Sequence, residues 1–225
     1  MIISHRGRNT GNRENTIAAF DKALELGAKA IECDLRLTLG KKIVVYHDNK
    51  ITTSNLLSLE ELFVYIEKTH VPFFLEVKSS SKVLAESIIK KIAKKDLWER
   101  VHIIGFSFFI GTSVRLQSKY PKLRVSQLIN IPLYSYIRKP SPSYGVMLGW
   151  FDSWPGSEWL FRKLIPVKRL IKLRKFYEKN GFKVIAGVIN NKSAFKYFER
   201  GGITDIVTDN VTDAVDYFKL NEKKE

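Results

Sequence analysis

The chain reads as an α/β protein of the (β/α)8 TIM-barrel class, one domain over residues 1–225. Three observations predict this. Short β-rich runs alternate with amphipathic stretches of helical period, eight such runs can be counted with nearly all followed by a helix, and 225 residues is the size of one such barrel. A doubly wound open sheet is the alternative, but no glycine-rich phosphate loop follows the first run.

Ile2–Ser4 predicts the first strand. Asn15-Thr16-Ile17 opens a helix with Ile17, Phe20, Ala23 and Leu24 on one face and Gly27 as its stop. Ala30–Leu35 predicts the second strand, and Lys42–Tyr46 extends that unit after a turn at Gly40. Ser58-Leu59-Glu60-Glu61 is a capping box that starts a helix through about Glu67. Phe73–Val77 is the third strand, and Lys82–Lys95 a helix with Val83, Ile88 and Ile92 on its apolar face. Val101–Phe106 is the fourth strand, followed by a helix over Ile110–Lys119. Leu123–Leu128 is the fifth, and Tyr144–Leu148 the sixth after the Lys139-Pro140-Ser141-Pro142 break. Trp159–Asn180 is helical, interrupted by Pro166 and ended by Gly181. Lys183–Val188 is the seventh strand, Ser193–Glu199 a helix, Ile203–Val207 the eighth strand and Asn210–Phe218 the last helix, before a charged, frayed tail at Asn221–Glu225.

A chain this long buries roughly 70% of its extended surface, so it needs no disulfide or structural metal to fold. Its hydrophobic share of 44% and charged share of 27% exclude a disordered chain. One cysteine excludes an internal disulfide and fits a reducing compartment. No basic, apolar and small-residue signal pattern opens the chain and no run is long enough to span a bilayer, so the expected location is cytoplasmic. The net charge of +15 favours an anionic partner or a solvated lysine-rich surface. Nucleic acid is not expected as that partner, because no base-reading motif accompanies the charge.

The chemistry concentrates near the start. His5-Arg6 falls just past the first strand, Glu32 and Asp34 point the same way from the second, and His47-Asp48 closes the next apolar run. Glu76 and Lys78 repeat the i, i+2 pattern at the end of the third strand. Two histidines, convergent carboxylates and an arginine are what phosphodiester hydrolysis needs: an acid, a base, a hard cation and a counter-charge for phosphate. Three carboxylates make an oxygen site suited to Mg²⁺ or Ca²⁺. An isolated Glu-x-Asp is usually a solvated edge and a lone histidine usually structural. That bland reading is applied to His70 and His102, and weakens where five such residues fall at strand ends. Cys33, flanked by acids, reads as an apolar packing residue.

These motifs resemble the glycerophosphodiester phosphodiesterase family, a barrel of the phospholipase C-like phosphodiesterase type. The resemblance is carried by His5-Arg6-Gly7, Glu14-Asn15-Thr16, Ala28–Leu35, Val44–Asp48 and Leu75–Lys78, with weaker matches at Ser107-Phe108, Pro121, Leu123–Leu128 and Gly202–Asp209. It implies metal-dependent hydrolysis of glycerophosphodiesters to glycerol phosphate and an alcohol. Glu32, Asp34 and Glu76 would hold the cation, His5 and His47 would be the acid/base pair, and Arg6 and Lys78 would bind phosphate. In the family the substrate's own glycerol hydroxyl attacks phosphorus, and water then opens the cyclic phosphate. Glu14 and Asn15 would support the site from behind, with helix N-capping as the competing reading. The alternatives are a lysophospholipase D-like or other lipid phosphodiesterase, and an inactive basic barrel that binds membrane or phosphate.

The chain departs from the family pattern in three places. Leu39 stands where an Asp usually precedes Gly40; only 27 residues separate Asp48 from Glu76, where the family inserts a subdomain; and Gly187-Val188-Ile189-Asn190 replaces a Trp-Thr-Val-Asn strand. A more open site with a displaced aromatic wall follows. Trp150, Phe151, Trp154 and Trp159 are the replacement aromatics, Trp150 and Trp154 as pocket residues; Gly149, Pro155 and Gly156 mark the segment as a loop, read as a lid or a lipid contact with core packing as the competing reading. The next stretch interleaves Arg162, Lys163, Lys168, Arg169, Lys172, Arg174 and Lys175 with apolar residues. It reads as a barrel helix with a basic face or as a peripheral anchor on an anionic membrane.

Overall fold

In the computed structural model every residue is described except 52, 131–143, 152–153 and 223–225. The Lys139–Pro142 break and the end of the tail lie outside the described residues. The strands are β1 Ile2–His5, β2 Ala30–Leu37, β3 Ile43–Val45, β4 Phe73–Val77, β5 Val101–Gly105, β6 Arg124–Ile129, β7 Gly145–Leu148, β8 Lys183–Ala186 and β9 Ile206–Thr208. The helices are α1 Ile17–Glu25, α2 Leu59–Thr69, α3 Lys82–Lys94, α4 Ser107–Leu116, α5 Ser157–Leu164, α6 Val167–Lys179, α7 Lys192–Arg200 and α8 Val211–Glu222.

All strands but β3 are parallel, each pairs with the next around the ring, and β9 pairs with β1. The sheet is therefore a closed eight-stranded (β/α)8 barrel. β3 lies outside the ring, antiparallel to the end of β2. The strand pleat sorts side chains into two cores. Ile3, Ala30, Phe74, Ile104, Met147, Ile185 and Val207 fill the barrel interior, while Cys33, Leu35, Phe73, Leu75 and Val77 face the helices. Cys33 is fully buried and its thiol is pushed well up, first by burial and then by Glu32 and Asp34, in keeping with an inert packing residue.

Helix starts follow local chemistry. Ser58 and Glu61 form the capping box of α2, worth about 1 kcal/mol. Thr16, Ser81 and Asn191 cap α1, α3 and α7. The caps also set helix rotation, which corrects two expectations. Ile17 and Val83, in first turns, are exposed, and Ala19 and Leu84 take the core positions. α4 starts at Ser107, three residues earlier than expected, and the eighth strand is Ile206–Thr208, with Ile203 packing before it. Pro166 splits the long helix into α5 and α6 and stands at the N-cap of the second. Phe161, Ile165, Leu170 and Tyr177 are buried, so the apolar side of this basic stretch faces the barrel. No helix among the described residues is long and apolar enough to cross a membrane.

Candidate active site

A cavity of about 430 Å³ opens at the C-terminal ends of the barrel strands. One half is charged, with His5, Arg6, Glu32, Glu76, Lys78 and Asp209; the other is apolar, with Ile104, Phe106, Leu128, Met147, Trp150 and Phe151.

His5 ends β1 and pairs in register with Glu32. The chain then turns through the left-handed region at Arg6 (φ 59°) and Gly7 (φ 69°), and a Cβ at Gly7 would lie 2.6 Å from the Ala19 Cβ. Only glycine lets this turn press on α1, and the turn sets Arg6 Nε 3.0 Å from Asp34 Oδ2.

Nδ1 of His5 lies 2.7 Å from Asp209 Oδ1. Asp209 follows β9 and is fixed by Asn190, whose Nδ2 donates to its Oδ2 and whose Oδ1 accepts from its backbone N–H, both at 2.8 Å. Burial lowers the His5 pKa despite the bond to Asp209, so the ring is neutral at neutral pH. Nδ1 then carries the proton donated to Asp209, and Nε2, 3.8 Å from Glu32 Oε2, offers its lone pair. Burial acts most strongly on the Asp209 carboxylate and pushes it up, but His5, Arg8 and Asn190 together outweigh it and hold the pKa low.

Glu32 and Asp34 project inward from β2 and Asp34 pairs in register with Glu76 of β4. All three are buried, with one oxygen of each within 4.8 Å of the others. Lys78 Nζ lies 3.0 Å from Asp34 Oδ1 and 2.7 Å from Glu76 Oε2. Asn15 grips Asp34 twice, donating from Nδ2 to Oδ2 at 3.0 Å and accepting from the backbone N–H at 3.3 Å. Burial alone would raise the Asp34 pKa, but Lys78, Arg6 and Asn15 hold it far below the usual carboxylate range. Burial, with Asp34 and Glu76 beside it, pushes Glu32 well above that range. Both Glu32 oxygens and Glu76 Oε1 are buried without a hydrogen-bond partner. A buried carboxylate lacking donors calls for a cation, and an all-oxygen set suits a hard one. The three residues fit a divalent metal ion.

His47 reaches the cavity from the segment after β3, the strand outside the ring, not from a barrel strand. Tyr46 N donates to Asp34 O at 3.1 Å, Arg36 Nε to His47 O at 2.7 Å, and His47 Nδ1 lies 2.8 Å from Asp48 Oδ1. Glu14 lines the cavity and pairs with Arg6 at 3.5 Å and Arg8 at 3.0 Å. Neither Glu14 nor Asn15 caps α1, because Thr16 does. Trp150 is buried on Phe161 and Phe198 and lines the cavity; Trp154 is 59% exposed and does not. Arg8, Arg36 and Phe106 carry no role in the sequence reading, Asn190 and Asp209 stand there only within compared stretches, and Phe151 is there as a replacement aromatic. Of those without a role there, only Asp209 carried a signal, a carboxylate directly after an apolar strand.

Residues 5–63 match the model of the glycerophosphoryl diester phosphodiesterase family. A glycerophosphodiester phosphodiesterase from Caldanaerobacter subterraneus is 25% identical over 245 residues, covering 93% of each chain. A glycerophosphodiester phosphodiesterase structure from Parabacteroides distasonis superposes with a TM-score of 0.75 at 19% identity, over 99% of this chain and 97% of that one. An Oleispira antarctica phosphodiesterase in complex with the product sn-glycerol-3-phosphate superposes at 0.70 with 17% identity, over 97% and 96%. The barrel, the paired motifs of β1, β2 and β4 and these likenesses make the chain similar to the glycerophosphoryl diester phosphodiesterase family, whose model it matches over residues 5–63.

Proposed function

We propose that this protein hydrolyses glycerophosphodiesters to glycerol phosphate and an alcohol, using a divalent cation, Mg²⁺ or Ca²⁺, held by Glu32, Asp34 and Glu76. The observation that carries the reading is the convergence, in one cavity, of a carboxylate-anchored histidine with three buried carboxylates and two buried cations. The charge balance supports it. Glu32, Asp34 and Glu76 outnumber the cations paired with them, Arg6 and Lys78, and a divalent cation offsets the excess negative charge that would repel a phosphodiester. When bound, the metal supplies Lewis-acid stabilisation of the phosphoryl oxygens.

His5 is the base. Asp209 fixes its Nδ1–H, so Nε2 takes the proton of the attacking hydroxyl as the new P–O bond forms. His47 is the acid. It acts as the imidazolium, with Nδ1–H held by Asp48 while Nε2–H passes to the departing alkoxide as the old P–O bond breaks; the two histidines then exchange roles as water opens the cyclic phosphate to glycerol phosphate. Arg6 and Lys78 line the cavity and offer charge to the equatorial oxygens. Asn15 and Asn190 keep Asp34 and Asp209 in place.

A lysophospholipid is the second reading, favoured by the apolar half of the cavity, where Phe106 and Phe151 stack at 6.1 Å. Choline release from glycerophosphocholine and from lysophosphatidylcholine decides between them. Release from the first that stops with EDTA and with His47→Ala supports the proposal, and no release from either substrate refutes it.

A further inference from the structure

Six large apolar side chains are more than half exposed among the described residues: Leu39, Val83, Phe108, Trp154, Trp159 and Leu220. Five follow the C-terminal end of a barrel strand. Leu39 is in the β2–β3 turn, Val83 in the first turn of α3, Phe108 in the first turn of α4, and Trp154 and Trp159 follow β7. Only Leu220 belongs to the opposite end, in the last part of α8. Single exposed hydrophobics are ordinary, but their concentration on one face is not.

This face is the rim of the catalytic cavity, and the aromatic surface runs into it. Phe108, 65% exposed, stacks on Phe106 at 5.7 Å and 8°, and Phe106 in turn meets Phe151 inside the cavity. The charges beside these residues are basic. Lys41 and Lys42 share the turn of Leu39, and Lys163 Nζ sits 4.7 Å over the Trp159 ring. Among the described residues, Glu158 beside Trp159 is paired with Arg162. Exposed tryptophan and phenylalanine interleaved with lysine match a lipid headgroup region, where rings sit at the polar boundary and ammonium groups meet phosphates.

We propose that the C-terminal rim docks on an anionic lipid surface through Leu39, Phe108, Trp154 and Trp159, turning the cavity mouth toward the headgroups. Docking rests on the rim itself; that it delivers lipid-derived phosphodiesters to the cavity rests on the phosphodiesterase reading. The docking residues differ from the basic stretch expected from sequence, whose apolar side is spent on the barrel core.

The test mixes the full chain with vesicles of phosphatidylcholine, with and without phosphatidylglycerol. Co-sedimentation with the anionic vesicles, a blue shift of tryptophan emission on binding, and at least tenfold weaker binding of Leu39→Ser/Trp159→Ser are expected. That double variant should turn over soluble glycerophosphocholine at the wild-type rate, which shows that it is folded. No sedimentation with anionic vesicles, or undiminished binding by the double variant, overturns the proposal. Concentration-dependent dimerisation that shields the tryptophans without lipid also overturns it, in favour of a second copy as the occupant. Failure of the wild type to release choline from either glycerophosphocholine or lysophosphatidylcholine would refute the phosphodiesterase reading alone, since vesicle binding decides docking independently.

Discussion

His5 and His102 are buried to nearly the same degree, 7% and 5% exposed, at opposite ends of the same barrel. His5 ends its strand, gives Nδ1 to Asp209 and faces carboxylates. His102 is the second residue of β5. It stacks at 4.5 Å on Phe74 and edge-on to Tyr144, with Nδ1 unpartnered and the cations Arg124 and Lys183 nearby. Burial lowers both pKa values, that of His102 to about 4. Burial alone therefore does not make a histidine catalytic. The difference is a carboxylate that fixes the tautomer at one end, and cations and ring faces that only suppress charge at the other.

The largest expected effect belongs to the ionic knot around His5. Asp34→Asn leaves Arg6 and Lys78 buried with one counter-charge fewer, and urea unfolding should show a loss of about 3–5 kcal/mol. At the His102 end no ion pair of this kind is broken by His102→Phe, so its unfolding midpoint at pH 7.5 should move little.

Next comes the rate. His5→Ala should lower glycerophosphocholine turnover at least ~10²-fold with the fold intact by circular dichroism. His102→Phe should leave the rate within about twofold. Equal effects of the two variants would dissolve the distinction between the barrel ends.

The third effect is on stability against pH. The His102 pKa is near 4 folded and about 6.5 unfolded, so the unfolded chain binds more protons in that window. The group's stabilisation is complete above pH 6.5 and is lost as pH falls toward 4. Between pH 7.5 and 4.5 wild type should lose about 2 kcal/mol more than His102→Phe in urea titrations. A smaller loss in wild type than in the variant would reverse the sign and refute the assignment.

The smallest effect is positional. Asp209→Asn keeps the size of the side chain but removes the charge that fixes His5. Turnover should fall about tenfold with little change in KM, each decade costing about 1.4 kcal/mol. A raised KM at constant kcat would make Asp209 a substrate-binding group instead.

The charged half of the site was legible because strand register leaves little freedom. An i, i+2 pair on a strand must share a face, so Glu32 with Asp34 and Glu76 with Lys78 declared themselves. The remainder depends on contacts distant in the chain. Asp209 reaches His5 across 204 positions, and Arg36 holds the His47 loop by a backbone carbonyl that carries no residue signature. Trp150 and Trp154 looked equivalent in sequence, yet Trp150 packs on Phe161 and Phe198 while Trp154 is left on the rim. Helix rotation was misjudged at Ile17 and Val83 because the apolar period does not say which residue caps the first turn.

The central claim, cation-assisted hydrolysis at the Glu32–Asp34–Glu76 cluster, is tested most directly by following glycerophosphocholine cleavage by ³¹P NMR. The protein is first chelated, then supplied with Mg²⁺ or Ca²⁺. The account predicts glycerol phosphate formation that stops on chelation, returns with one of these ions, and is absent in Glu32→Gln under every condition. Cleavage that persists after chelation and in Glu32→Gln would contradict it.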